Sequence, residues 1–295
     1  MVISMKFLKK SKKRQRLIKN ISAYSILAVI GIIMVVPTFI MITSSFKSYD
    51  EYYSDVFKLL PSKWIVDNYV RIFSTNDYIF RWVLNTLILL VSNTTIVTFS
   101  TIIIAYGFSK YKSKISEVLF MVLLSTMMIP WAVTMIPSYV IWAKLGLVNT
   151  YWPLILPSIG GSAYYTFMLR QNMRGIPNEM LESAEIDGAS SWQRLWKIVV
   201  PNCIPAIITM VLFTSMGIWG DYLGPSIYLR KEELYNISVG LNSLRVTSSS
   251  ASTGGRTDAP MLLASSVLMA IPSIVMYFLG TRAFTKGISL QGSEK

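Results

Sequence analysis

The stretch Asn178-Glu-Met-Leu-Glu-Ser-Ala-Glu-Ile-Asp-Gly188-Ala-Ser-Ser-Trp-Gln-Arg-Leu-Trp-Lys-Ile-Val-Val-Pro201, continuing Asn-Cys-Ile-Pro205, is polar and partly acidic between long apolar runs. Polar sequence of this length cannot lie in hydrocarbon, so it is a loop with its own structure. Two short helices are expected in it. The first covers about Pro177 to Asp187. Proline suits an opening turn, and Glu179 and Glu182 lie at the end where the helix dipole favours negative charge. Gly188 ends it, because glycine accepts the left-handed cap conformation. Ser190 or Ser191 can cap the second helix. There Trp192, Leu195, Trp196 and Val199 recur on one face, while Arg194 and Lys197 point elsewhere. Pro201 implies a turn or kink where the chain re-enters the membrane.

The rest of the chain is apolar enough to make this reading necessary. Of its 295 residues 53% are hydrophobic and 15% charged, against roughly 25% charged in a typical soluble domain. The length suits one all-α membrane domain of about six spans, at ~20 residues per span plus loops. Histidine is absent, so no histidine base, proton relay or ligand exists, and the single Cys203 allows neither an internal disulfide nor a cysteine-cluster metal site. No Gly-x-x-x-x-Gly-Lys-Ser/Thr is present, so any ATP is handled by a partner.

Spans are expected at about 21–46, 82–108, 118–142, 152–169, 205–223 and 260–284. The first follows a basic, cytoplasmic N-terminal segment (1–20) and is too long for a signal-peptide core. The aromatic-rich segment 47–80 belongs at the headgroup level of the outer face. The second span carries Asn85, Thr86, Ser92, Asn93, Thr94 and Thr95, a face turned toward other helices or water. Pro130 and Pro137 interrupt the third, with Trp131 between them. The fourth holds Gly160, Gly161, Ser162 and Ala163, which permit close helix contact, followed by Tyr164. The fifth ends in Trp219-Gly-Asp221-Tyr-Leu-Gly-Pro225, an acidic residue among glycines at a helix end. A long polar outer segment (225–259) with a serine- and glycine-rich tip at Ser248–Gly255 precedes the sixth span, and a short tail (286–295) ends the chain. The transmembrane domain is thus 21–285, with the organising loop at 176–201.

The net charge of +13 could suggest nucleic acid, but its distribution argues for a membrane. The segments assigned to the inside hold 18 of the 28 lysines and arginines and 6 of the 15 acidic residues, net +12 inside and +1 outside. Basic residues gather on the cytoplasmic side, which places both termini and the loop there.

The loop resembles the EAA loop of ABC importer permeases: Glu-Ala-Ala, three residues, Gly, nine residues, Ile-x-Leu-Pro. Here the frame is Glu182-Ser183-Ala184, Gly188, then Ile198, Val200 and Pro201, with every spacing kept and two conservative departures, Ser183 and Val200. Phe167-x-Leu-Arg170-Gln171, Gly175-Ile-Pro177 and Ile186-Asp187-Gly188-Ala-Ser190 look like the carbohydrate branch, nearest in type to the G-subunit of maltose importers. Trp219 to Pro225 resembles Trp-Asn-Asp-Phe-Leu-x-Pro of sugar permeases, with Gly220 in place of the asparagine. The resemblance implies a type I importer fold in a bacterial cytoplasmic membrane. It implies a second homologous permease subunit, two ATPase subunits carrying ATP and Mg, and an extracytoplasmic solute-binding protein, with no cofactor on this chain. It also implies that Glu182, Ser183, Ala184, Asp187, Gly188, Ile198 and Pro201 form the ATPase-coupling loop, in which Glu182 hydrogen-bonds the ATPase, Gly188 lets the two short helices bend, and the Trp192 face packs against the ATPase groove or the membrane helices. In the tail, Gln291 and Gly292 are candidate ATPase contacts.

Sugars are held by aromatic faces and by amide or carboxylate hydrogen bonds. Asn85, Asn93, Trp131, Tyr164, Trp219 and Asp221 have that chemistry and are the candidates for the translocation path. The same residues suit interfacial anchoring and interhelical bonding equally. Other readings are the same machinery with a non-sugar substrate, an ion-coupled carrier, and a membrane-anchored interaction protein. An ion-coupled carrier normally needs mid-span ionisable groups, and none is present here.

Overall fold

A computed structural model describes residues 2–54, 58–111, 113–248 and 258–292, with side chains for all of these except 2–18, 75, 245–248 and 282–292. Helix α1 (Val2–Ser45) is followed by the short α2 (Tyr49–Ser54) and α3 (Asp67–Thr75). Then come α4 (Ile79–Lys110), α5 (Lys114–Thr126) and α6 (Trp131–Lys144). After α7 (Trp152–Ile155) a 3-10 turn, Leu156–Gly160, leads to α8 (Ala163–Arg174). The organising loop holds α9 (Asn178–Ile186), α10 (Ser191–Arg194), a π-turn at Leu195–Val199 and α11 (Val200–Asn202), and runs into α12 (Ile204–Gly220). Helix α13 (Leu223–Tyr228), a 3-10 turn at Glu232–Leu234, α14 (Ile237–Ser248) and α15 (Ala259–Gly292) complete the chain.

Among the described residues, three straight segments are long and apolar enough to cross a membrane: Lys19–Ser45 of α1, α4, and Ala259–Thr281 of α15. Two bent pairs also qualify when each is taken as one span: α5 with α6, bent by 96°, and Ser191–Asn202 with α12, bent by 80°. Proline causes both bends. Pro130 lacks the N–H that would continue α5 and stands extended at φ −61°, ψ 136°. Pro137, expected to interrupt the same span, stays inside α6. Pro201 and Pro205 each remove a donor, and the helix answers with the π-turn before them and a break at Cys203 (φ −105°, ψ 6°).

The fourth expected span, 152–169, is not one continuous helix. It breaks at Gly161, whose φ is +68°, and restarts at Ala163 with Ser162 as the cap. The reason is its fit against α4: Thr101 Oγ1 accepts from Ser162 N–H at 3.1 Å, and a Cβ on Gly161 would lie 3.1 Å from that same oxygen. The broken segment still travels alongside α4. Ser158 bonds Asn93, Ser162 bonds Thr101, and Arg170 Nε donates to the Phe108 carbonyl at 3.0 Å. The partners advance together, so the two segments run parallel.

Among the described residues, buried apolar side chains form two cores. One surrounds the root of the organising loop: Ala105, Tyr106, Leu169, Met173, Leu195 and Val199. The other lies at the opposite end: Ile72, Trp82, Trp219, Leu241, Leu244 and Met261. The second core corrects the expectation of a polar outer segment at 225–259. Ile237, Val239, Leu241 and Leu244 of α14 are buried. Gly240 presses so closely on the Trp82 ring that a Cβ there would lie 2.2 Å from it. Of the expected flexible tip, residues 249–255 lie outside the described residues, as do the side chains of Gln291 and Gly292 and of residues 2–18 in the basic N-terminal segment.

Candidate functional site

The organising loop is a V of two helices joined at Gly188. Gly188 has φ +81°, the left-handed conformation expected of it. Its N–H donates to the Glu185 carbonyl at 3.0 Å, and Ala189 N–H donates to the Ala184 carbonyl at 2.9 Å. These two bonds are the Schellman closure of α9. The second arm opens on Ser190, not Ser191: Ser190 Oγ accepts from Gln193 N–H at 3.3 Å, and Gln193 Oε1 accepts from Ser190 N–H at 2.8 Å. This reciprocal capping box satisfies two donors that would otherwise be orphaned. Glu185 and Arg194, 2.5 Å apart, tie the arms across the turn.

The V has an anchored face and a free face. Leu181, Leu195 and Val199 enter the loop-end core. Trp196 stacks on Phe99 of α4 at 5.6 Å between centroids, and Trp192, half-exposed, meets both rings edge-on. The aromatic face seen in the sequence therefore packs on a membrane helix. Ile198 is half-buried against the same core, while Pro201 is exposed at the bend. On the free face, Glu182, Ser183, Asp187 and Gly188 are exposed and Ala184 is partly covered. Ile186 is 87% exposed at the end of α9. Glu182 also lines an open pocket of about 610 Å³ with Tyr106, Lys110, Tyr111, Glu185 and Arg194.

The six path candidates separate into two groups. Asn85, Asn93 and Trp219 are committed to packing. Asn85 Nδ2 donates to the Glu233 and Tyr235 carbonyls, both at 2.9 Å. Asn93 donates to the Leu89 carbonyl at 2.8 Å and bonds Ser158. Trp219 Nε1 donates to the Met269 carbonyl at 3.0 Å from within the far core. Tyr164 is exposed, with its ring against Tyr165. Trp131 and Asp221, 90 positions apart in sequence, line one cavity of about 580 Å³. Its wall also includes Thr134, Ser138, Trp142 and Tyr228, none of which the sequence singled out.

The backbone at 220–224 separates two cavities. Asp221, Leu223 and Gly224 face the one just described. Gly220 and Tyr222 face a second, of about 450 Å³, whose polar lining includes Ser238, Asn242, Ser265 and Ser266. Asn236 is buried and holds this divide in place: its Nδ2 donates to the Asp221 carbonyl at 2.6 Å, and its Oδ1 accepts from Val239 N–H at 3.0 Å. One functional group escaped the sequence reading altogether. Glu117 receives both Arg170 and Arg174 at 2.7 Å, just before the loop begins. The four-residue spacing of the two arginines on one helix face was the available signal.

The geometry is that of a membrane protein with one structured loop anchored by its apolar face, and the comparisons agree. Residues 99–282 match the family model of the binding-protein-dependent transport system inner membrane component. The chain is 31% identical over 280 residues to the polygalacturonan/rhamnogalacturonan transport system permease protein YtcP of Bacillus subtilis, covering 92% of this chain and 96% of that protein. It is 31% identical over 232 residues to the arabinooligosaccharides transport system permease protein AraQ of the same organism, covering 79% and 80%. Its fold superposes on a bacterial ABC transporter involved in the import of the acidic polysaccharide alginate, with a TM-score of 0.79 at 22% identity over 90% of this chain and 96% of that one. The family model spans more than half of this helical protein and the relatives match over most of their length, so this chain is a transport subunit and belongs to the family of binding-protein-dependent transport system inner membrane components.

Proposed function

We propose that this chain is one of two homologous permease subunits in an ATP-driven importer of oligosaccharides, and that its 176–201 loop docks on an ATPase subunit. The observation that carries the docking is the free face of the V. Glu182 and the fully displayed Ile186 stand on a helix whose other face is locked into the protein by Leu181. A rigid, two-sided element of this kind can pass a push from a partner into α12 and α4. Coupling requires that the ATPase pair grip it differently in its open and closed forms. ATP and Mg belong to that pair. The basic residues of 1–20 and of the loop flanks orient both termini to the cytoplasm. The oligosaccharide substrate rests on the arabinooligosaccharide permease among the relatives and on the aromatic, hydroxyl and carboxylate lining shared by Trp131 and Asp221.

The test is ATP-dependent uptake of a panel of oligosaccharides by cells expressing the complete importer. Gly188→Pro and Glu182→Lys are expected to insert normally, to lose most uptake, and to lose co-purification of the ATPase. Wild-type uptake and co-purification in both variants would make the loop a passive connector.

A further inference from the structure

Two cavities flank the 220–224 backbone, and their linings differ in one respect that bears on what can pass. The 450 Å³ cavity has no charged side chain among its lining residues, only hydroxyls, an amide and apolar groups. The 580 Å³ cavity presents two indole rings, Trp131 and Trp142, the Tyr228 ring, two hydroxyls, and a single charged side chain, Asp221. Among the described residues, no lysine or arginine lines either one. Arg230 lies over the Tyr139 ring at 6.0 Å. Tyr139 in turn stacks on Tyr228, so Arg230 stands behind the cavity wall.

Asp221 is also held in place. Its Oδ1 accepts from Gly224 N–H at 3.2 Å, and Gly224 leaves room for the carboxylate, since a Cβ there would lie 2.8 Å from Oδ2. The backbone beneath it is fixed by Asn236. A fixed carboxylate beside aromatic faces accepts hydrogen bonds from sugar hydroxyls while the rings cover the apolar ring faces of the sugar. Toward a uronate the same group is repulsive. Two like charges ~6 Å apart at an effective dielectric near 20 oppose each other by an amount worth roughly a hundredfold in binding, less where water screens them.

We propose that Asp221 makes this cavity a subsite for uncharged saccharides and the element that excludes uronate-bearing ones. The inference rests on the oligosaccharide reading given above and narrows its substrate class. It sets this chain apart both from the alginate importer whose fold it shares and from the polygalacturonan/rhamnogalacturonan permease to which it is 31% identical, and it assigns the discrimination to a repulsive group, the usual device where attractive contacts alone are too similar.

The test uses the complete importer, purified in detergent without its binding protein, so that the binding protein's own preference does not enter. Equilibrium binding is measured for neutral arabinotriose and maltotriose and for trigalacturonate. The wild type is expected to bind at least one neutral trisaccharide about tenfold or more tighter than trigalacturonate. Asp221→Asn keeps an acceptor for Gly224 N–H but removes the charge, and is expected to narrow that ratio about tenfold by strengthening trigalacturonate binding. Asp221→Ser is a second neutral variant and should move the ratio the same way. Basal ATP hydrolysis of each variant reports whether the complex remains assembled. An unchanged ratio in both assembled variants would overturn the inference, as would a wild type that prefers trigalacturonate. A complex that binds no saccharide of the panel, and transports none with its binding protein present, would instead remove the oligosaccharide reading itself and this inference with it.

Discussion

Arg170 and Glu117 meet at 2.7 Å, Nη2 to Oε1, and join the helix that leads into the organising loop to the first turn of α5. Arg170 is 3% exposed; its Nε donates to the Phe108 carbonyl at the end of α4, and its guanidinium lies 3.7 Å from the Phe120 ring centroid. Three elements therefore converge on one side chain directly above the loop. Arg174 reaches the same Glu117 oxygen from a more exposed position.

This contrast predicts an order of effects. Arg170→Ala leaves the part-buried Phe108 carbonyl without its donor, removes one of the two arginines from Glu117 and opens a gap against Phe120, a loss of about 3 kcal/mol. Arg170→Lys retains the charge but not the fork, and recovers only part of it. Arg174→Ala is expected to cost under ~1 kcal/mol, as an exposed partner does. Thermal unfolding of the detergent-purified complex orders the three. Equal melting points for Arg170→Ala and Arg174→Ala would refute the convergence.

Gly188 separates strain from docking. Its φ of +81° disfavours any side chain, yet a Cβ there would meet nothing within 4 Å. Gly188→Ala should therefore lower stability by only about 1–2 kcal/mol, with the V intact. Gly188→Asn, which tolerates the left-handed region better, should cost less. If the ATPase releases either variant far more readily than that strain explains, the glycine lies against the partner. Retention of the ATPase by both would move the contact to Glu182 and Ile186.

At the opposite end the constraint is space. A Cβ on Gly240 would fall 2.2 Å from the fully buried Trp82, whose Nε1 also donates to the Glu232 carbonyl at 2.8 Å. Gly240→Ala is expected to destabilise by about 3 kcal/mol through overpacking, with a fall in the amount of protein inserted in the membrane. Gly220→Ala has nothing within 4 Å of the added carbon and serves as the control. A wild-type melting point for Gly240→Ala would show that α14 does not pack on Trp82.

Acid should loosen the segment after α1 through Glu51. Its carboxylate accepts from Ser62 N–H at 2.6 Å and Ser62 Oγ at 2.7 Å, with Lys58 Nζ at 3.1 Å. The Ser62 bonds first, and then Lys58, lower its pKa from 4.5 to about 2. A lowered folded-state pKa contributes stability that is complete above 4.5 and is lost as pH falls toward about 2. Proteolysis of the 47–65 segment should therefore rise over that window in the wild type. Glu51→Gln should be cut faster at neutral pH and show little further change on acidification. A wild-type rate flat from pH 5 to pH 2, measured with an acid-active protease, would sink this account.

The sequence by itself determined the membrane character, the two-helix loop, the Gly188 closure, the serine cap of the second arm and the bend near Pro201. The membrane character follows from apolar runs of ~20 residues, and the loop features are decided by groups within about four residues of one another: a missing N–H, a free φ, a hydroxyl within reach of an orphan donor. Tertiary structure alone decided the rest. Asn85, Asn93, Trp131, Trp219 and Asp221 have the same kind of chemistry on paper. Which of them packs and which faces a cavity depends on the rotation of each helix against its neighbours. The break at Gly161 exists because Thr101, sixty residues earlier, reaches the Ser162 amide. The burial of α14 depends on Trp82, and the anchoring of α8 on Glu117. No local rule reads such pairs, because the free energy that selects them appears only when distant helices exclude lipid and water from between them.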